Sequence, residues 1–527
     1  MSQRLRHTSV LLQRGVNPKL GHKHLSDVTA DVEPVSGAQQ RDSSWPFALL
    51  VIAVVASAVG GARSWVPGPW LDEGVTILSA QRSWSSLGRM LKHQDAVHGA
   101  YYGLMHGWFE VVNYSPLMLR LPAVLATSVA AVLIAVLGKR LFDPSTGVLA
   151  ALVYVAMPAV LMYAIEGRAY ALGTALVTLS ALLLVEALSR QSVVWWFGYA
   201  IAAVLTVQVF LFSALVFAAF PLVLSSVGAS RQQWARFAAS TTVAVLACLP
   251  LLKLALSQQG QVAWITDPTA RGLLALPREV WYPVDGIALY TAAAWAILAV
   301  GVTVLLMSAR RATFTTSALG ARGVAVLLLG WLLLPGVLLV GVTLLGPNVY
   351  VPRYLITTAP ALALILGVAV RALRRRVLQG MVLAMLIAVA IPHWASQRVA
   401  DSKSSTSLAA AQVRSVTLPG DGVLFVGAEN DHNWTRLTRY AYPDEFKNTV
   451  DLNLGVPFDQ SSSLTESDVP LGSVPERLDG IDRVVAIVPP DPDLQGKEDL
   501  QTLSFLGFVL ATTAEAGDWY VQVWRQE

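Results

Sequence analysis

PFALLVIAVVASAVGGARSWVPGPWLDEG, residues 46–74 of the chain, joins an apolar run to an acidic pair, Asp72-Glu73. The run from Pro46 to Ser64 is long enough to cross a bilayer as a helix, and the carboxylates follow it by less than ten residues. Ionisable groups at a membrane edge are costly unless they pair, bind or react, so the pair is where chemistry would start in an otherwise apolar chain. Adjacent residues on a turn point in different directions. One carboxylate can therefore face a substrate while the other fixes the turn. The plainer alternative is that both cap the helix that begins near Gly74, where acids suit the positive end of the macrodipole.

The rest of the chain has the same character. It has 527 residues, 54% of them hydrophobic and only 14% charged, with a mean hydropathy of +0.55, the composition of an integral membrane protein. The single cysteine, Cys248, lies in an apolar run and excludes an intrachain disulfide framework or a cysteine metal site. The net charge of +4 is unevenly distributed: from Ala395 onward there are 20 Asp and Glu against 10 Lys and Arg, and the remainder holds 28 basic and 14 acidic residues. The basic excess belongs to the apolar part, where it orients helices, and does not indicate a nucleic-acid partner.

Apolar runs recur near 46–64, 117–141, 147–164, 169–189, 194–211, 213–229, 237–256, 286–308, 323–345, 354–370 and 378–394, about eleven spans of roughly 30 Å of hydrocarbon each. Alternate turns collect Lys139-Arg140, Arg190, Arg231 with Arg236, Arg310-Arg311 with Arg322, and Arg371 with Arg374-Arg375-Arg376, on the side of the basic segment 1–44. The opposite side collects Asp72, Glu73, Asp95, Glu110, Glu166, Asp267, Glu279 and Asp285. The positive-inside rule then gives a loosely ordered cytoplasmic leader over 1–44, a multi-pass domain in the cell membrane over 45–394 and an extracytoplasmic C-terminus. Two outer loops are long. In the first, residues 65–116, Val75–Ala80 and Leu87–Leu91 suit interfacial helices; the second, near 257–285, carries Trp264, Trp281 and Tyr282. After Trp394 the composition turns soluble. A helical stretch to Val416, buried strands at 422–426 and 483–488 and a terminal hairpin at 508–524 predict a small α/β domain of about 130 residues.

Topology gathers four polar clusters on the outer face. Besides Asp72-Glu73 there is Asp95-Ala-Val-His98-Gly-Ala-Tyr101-Tyr102, in which Asp95 and His98 could share a proton, hold sugar hydroxyls or, with Asp72, bind a divalent ion, while the tyrosines stack on a pyranose. Glu166-Gly-Arg168-Ala-Tyr170 could grip a phosphate through Arg168 oriented by Glu166, or be a snorkelling arginine with an acidic neighbour. Pro352-Arg353-Tyr354 offers a second cation for phosphate, or an interfacial anchor. Carboxylates, guanidiniums and aromatics on one face are what an enzyme needs to take a sugar from a lipid phosphate. The competing class is a polytopic transporter or lipid flippase, which should instead place its charges near the midplane in two matching halves.

These motifs, with Leu119-Arg120-Leu121-Pro122, resemble the polyprenyl-phosphate-sugar-dependent membrane glycosyltransferases of the GT-C fold, in the branch (family 39-like) of protein mannosyltransferases and the lipid A aminoarabinose transferase. The resemblance extends to about residue 390. It implies about eleven transmembrane helices with a catalytic first outer loop, Asp72 as general base and Glu73 assisting, Asp95 and His98 lining the cavity, and Arg168 and Arg353 on the lipid phosphate. No cofactor is implied for certain, and a divalent ion stays open. Gly99-Ala100 after His98, and Gly167-Arg168-Ala169 in place of Ala-Arg-Pro, depart from the common pattern. The Ala-, Val- and Arg-rich composition is similar to that of high-GC actinobacteria, which makes decaprenyl-phosphate mannose, ahead of arabinofuranose, the expected donor. The expected acceptor is a cell-wall glycan, lipoglycan, glycolipid or protein.

Overall fold

The computed structural model describes residues 44–283, 288–311, 315–429 and 434–527; the expected leader and Asp285 lie outside them. The helices run in chain order as α1 (Ser44–Gly61), α2 (Leu71–Gln81), α3 (Trp84–Leu91), α4 (Gly99–Val111), α5 (Pro116–Leu141), α6 (Pro144–Val155), α7 (Pro158–Tyr163), α8 (Tyr170–Arg190), α9 (Val193–Val209) and α10 (Ala219–Ser226). They continue as α11 (Arg231–Ser257), α12 (Ala270–Trp281), α13 (Ala288–Ser308), α14 (Gly320–Leu345), α15 (Ala359–Ala372), α16 (Arg376–Ser396), α17 (Thr406–Val416), α18 (Leu437–Ala441) and α19 (Leu494–Phe505). Among the described residues, eight helices of 18 residues or more are apolar enough to cross a membrane, and three shorter apolar helices, Pro144–Val155, Val193–Val209 and Leu211–Ser226, lie where further spans were expected. Side chains such as Leu345, Met381 and Ile391 stand exposed on α14 and α16. Water would not tolerate that much uncovered apolar surface, and lipid does.

One arginine locks the bundle to the soluble segment beyond α16. Arg398 is buried just past the end of that helix and donates to the carbonyls of Gly60, Ala62, Leu161 and Trp394. It thereby satisfies carbonyls left open at the end of α1. The C-terminal domain has a five-stranded sheet in the order β2-β1-β3-β5-β4, built from β1 (Gly422–Phe425), β2 (Val450–Asp451), β3 (Arg483–Val488), β4 (Phe508–Ala516) and β5 (Trp519–Gln526). Strands β1, β2 and β3 are parallel, and β5 is antiparallel to β3 and β4. Residues of β1 and β3 are buried on both faces, as the near-continuous apolar runs imply. The terminal hairpin turns at Gly517, whose φ of +69° a side chain would resist.

The first loop departs from expectation at α2. The run Val75–Ala80 is buried, not laid on a membrane surface, because α4 packs against it and the C-terminal domain, through α18, covers it as well. A Cβ at Gly74 would come 2.6 Å from Leu437 and 2.9 Å from Trp434, and one at Gly68 would collide with Thr406. Both glycines that bracket the acidic pair are thus set by docking of the domain. Arg82, buried, reaches across to the carbonyls of Ser461, Ser463 and Leu464, tying the serine-rich loop to the end of α2. Only α3 shows the expected amphipathic face, burying Leu87 and Met90 and exposing Trp84.

Candidate active site

The two neighbours Asp72 and Glu73, both in the first turn of α2, point opposite ways. Glu73 is fully buried; Arg120 of α5 binds it through two parallel hydrogen bonds of 2.8 and 2.7 Å, and the Gly167 amide donates at 2.8 Å. Lys403, from the start of the C-terminal domain, lies 3.4 Å from Glu73 and also pairs with Glu166. Burial pushes the Glu73 carboxyl up, but Arg120 and Lys403 outweigh it and hold it down at about 2. Glu166 is oriented in turn by the Trp70 indole, and burial is the largest influence on it, pushing its carboxyl up. Two carboxylates and two cations close a neutral cluster here. Glu73 and Glu166, expected to act on substrate, are instead consumed by scaffold contacts.

Asp72 faces a cavity of about 860 Å³ between the bundle and the C-terminal domain, a size suited to a small-molecule ligand. Its side chain is 24% exposed, and its partner among the described residues is the Arg353 guanidinium at 4.0 Å. Arg168 holds the backbone of the same residue, donating to the Asp72 carbonyl at 3.2 Å and to the Tyr102 hydroxyl at 2.9 Å. Tyr102 passes the bond on by donating to Asp95, and Asp95 adopts a left-handed φ of +56°, fixed through its amide by Gln261. Burial lowers the Arg168 guanidinium pKa, and Tyr102, Asp72 and Asp95 raise it well above its ordinary value. Burial, followed by Arg168, pushes the His98 imidazole down to about 4, so it is neutral at neutral pH.

Asp72, Asp95, His98, Arg168, Tyr170, Arg353 and Tyr354 line the cavity. The expected stacking platform does not form: Tyr101 and Tyr102 are both buried, because the helix that carries them packs into the bundle. Aromatic cover comes from Trp70 and Phe212, which the sequence left without a role, and from Trp264, read there as an outer-loop aromatic. Trp70 and Trp264 stand 6.0 and 5.8 Å from the Arg353 guanidinium, and Phe212 stacks on Tyr354 at 4.1 Å. Among the described residues no three His, Cys, Asp or Glu side chains converge as metal ligands; Asp72, Asp95 and His98 do not fit a divalent ion. The residue at this turn that sequence reading missed most plainly is Lys403, whose only signal was an isolated lysine at the start of a soluble segment.

The two cavity arginines nearest Asp72 are incompletely used. The Nε atoms of Arg168 and Arg353 are buried and make no hydrogen bond among the described residues. A buried donor without an acceptor calls for a partner such as water, an ion or a ligand, and two guanidiniums beside one carboxylate suit a phosphate on one side and a hydroxyl on the other.

A family model described as dolichyl-phosphate-mannose-protein mannosyltransferase matches residues 102–256. No curated protein sequence matches the chain. Among solved structures, the chain is similar to ArnT from Cupriavidus metallidurans in the apo state, at 13% identity and TM-score 0.54, covering 91% of this chain and 98% of that one. The same protein bound to undecaprenyl phosphate matches at 12% identity and TM-score 0.55, covering 92% and 98%. The arabinofuranosyltransferase AftD from Mycobacteria matches at 17% identity and TM-score 0.51, over 90% of this chain but 39% of that one. The fold is therefore the GT-C membrane bundle with a small C-terminal α/β domain.

Proposed function

We propose that the chain is a glycosyltransferase that moves a sugar from a polyprenyl-phosphate donor to a glycan, glycolipid or protein acceptor. The observation that carries this reading is the half-buried Asp72 carboxylate at the cavity, beside the under-bonded Arg168 and Arg353. Asp72 removes the proton of an acceptor hydroxyl as its oxygen attacks the anomeric carbon. The bond from that carbon to the phosphate oxygen breaks, and the polyprenyl phosphate leaves with the electron pair, neutralised by Arg168 and Arg353. Direct displacement inverts the anomeric centre. Leu252 and Leu256 of α11 and Val342 of α14 line the cavity and are partly open to the outside, which suits entry of a lipid tail from the bilayer. The similar ArnT structure bound to undecaprenyl phosphate supports a lipid of this class as donor. Mannose is favoured over arabinofuranose as the sugar, in line with the mannosyltransferase model.

In this reading the leader is cytoplasmic, and the cavity and C-terminal domain face outward, in the cell membrane. A reporter fused after Glu527 that is active only in the cytoplasm should give no signal. The activity is tested with purified protein, radiolabelled polyprenyl-phosphate mannose and arabinofuranose, and a membrane acceptor extract. Transfer by the wild type and its loss in Asp72→Asn are expected; normal transfer by Asp72→Asn would refute the mechanism. The absence of transfer from any donor would return the chain to the transporter reading.

A further inference from the structure

The cavity has a second wall that the proposed chemistry does not use. The membrane bundle supplies Asp72, His98, Arg168 and Arg353; the facing wall comes from the C-terminal domain and carries Trp434, Arg436, Asp468 and Asp493. This wall is built, not incidental. Arg436 is only 1% exposed and pairs with Asp451, Asp468 and, at 3.4 Å, Glu466. A single guanidinium thus sits among three carboxylates, and Asp493 adds a fourth acid at the cavity. Asp468 keeps 37% of its side chain open. Asp493 uses Oδ1 to cap α19 through the Gly496 amide at 2.6 Å, and its Oδ2 makes no hydrogen bond among the described residues. The Nε of Arg436, buried in the same wall, is the atom that faces Glu466 at 3.4 Å. Trp434 donates its indole proton to Glu466 at 3.1 Å and presses its ring on Gly74, two residues from Asp72.

We infer that this wall is the acceptor subsite and that it selects a neutral saccharide. Trp434 provides an apolar face for a sugar ring beside the proposed base, and Asp468 and Asp493 accept hydrogen bonds from its hydroxyls. The excess of carboxylates repels phosphorylated or uronic acceptors, so the two walls sort their ligands: donor phosphate to the guanidiniums of the bundle, uncharged acceptor to the soluble domain. The inference rests on the transferase reading above.

The test uses the full chain in lipid nanodiscs with a polyprenyl-phosphate sugar. The acceptors are a neutral trisaccharide glycolipid and the same glycolipid carrying one phosphate on its outer sugar. The variants are Asp468→Asn and Asp493→Asn; the second keeps helix capping, since asparagine caps as well as aspartate, and thermal unfolding reports whether each folds. Each variant should raise the acceptor KM about tenfold, the worth of one lost charge-assisted hydrogen bond, with kcat, donor KM and acceptor-free donor hydrolysis unchanged. The double variant should narrow the preference for the neutral glycolipid. Unchanged acceptor KM in folded variants, or a wild-type preference for the phosphorylated glycolipid, overturns the subsite and leaves the transferase reading standing. Neither transfer nor hydrolysis of any donor overturns both.

Discussion

Two charged clusters lie back to back across the first turn of α2, and they differ in how completely their members are bonded. Behind the turn, Glu73, Arg120, Lys403 and Glu166 exhaust one another in a buried, neutral set. In front of it, Asp72 has the Arg353 guanidinium at 4.0 Å, and two cavity-lining arginines each keep a buried Nε with no hydrogen bond among the described residues. A saturated buried charge is scaffold, because any ligand would have to displace a partner that burial makes expensive to lose. A charge left short of partners at a cavity is available for chemistry. Residues adjacent in sequence and identical in charge thus stand in opposite environments, and the difference lies in what the rest of the chain brings to each.

The comparison breaks first at its front half. Asp72→Asn keeps the size of the side chain and removes the proposed base, so transfer should fall by about 10² to 10⁴-fold, the span of general-base contributions, with the melting temperature unchanged. Radiolabel transfer beside thermal unfolding measures both. The back half should respond the other way. Glu73→Gln leaves Arg120 buried without the carboxylate it pairs with, and breaking a buried pair from one side costs about 3–5 kcal/mol. The expected result is a large fall in melting temperature and in folded yield, while the folded fraction still turns over. A Glu73→Gln protein of wild-type stability and no activity would reverse the two assignments. Between them stands Arg353→Lys, which keeps the charge and gives up the planar fork. About a tenfold rise in donor KM, with acceptor KM and stability steady, is expected for one lost bidentate contact.

Legibility in the sequence divides along the same line. Asp72, Arg168 and Arg353 stand out because a charge at the end of an apolar run has no cheap structural explanation, and all three line the cavity. The helices were legible for a similar reason, since apolar runs of spanning length admit few other folds. Glu73 and Glu166 looked just as conspicuous. Their partners Arg120 and Lys403 lie 47 positions from Glu73 and 237 from Glu166, and no periodicity connects them. Tyr101 and Tyr102 were misread because two aromatics beside a histidine look the same whether they face a sugar or a helix core. The acidic wall was illegible for a third reason: Trp434, Asp468 and Asp493 have the composition of any soluble surface until the domain closes over α2.

The smallest expected effect separates the two clusters by pH. The Glu73 carboxyl lies at about 2 in the folded chain against 4.5 in the open one, first burdened by burial and then overruled by Arg120 and Lys403. A group whose folded value is depressed below its unfolded value contributes stability that is complete above the unfolded value; for Glu73 it is lost as pH falls from 4.5 toward 2. His98 is also depressed, from 6.5 to about 4, mainly by burial and then by Arg168. Between those values the unfolded chain binds the proton that the folded chain refuses, so stability rises with pH across that window and is lost on acidification through it. Acid should therefore erode the cavity side first and the scaffold second. Melting temperature followed from pH 7 to pH 4 should fall less steeply in His98→Gln than in wild type, and the difference should be modest, since the histidine side chain is still 18% exposed. Identical slopes in the two proteins would mean that His98 titrates as freely in the cavity as in water, and that the front of α2 is wetter than its lining suggests.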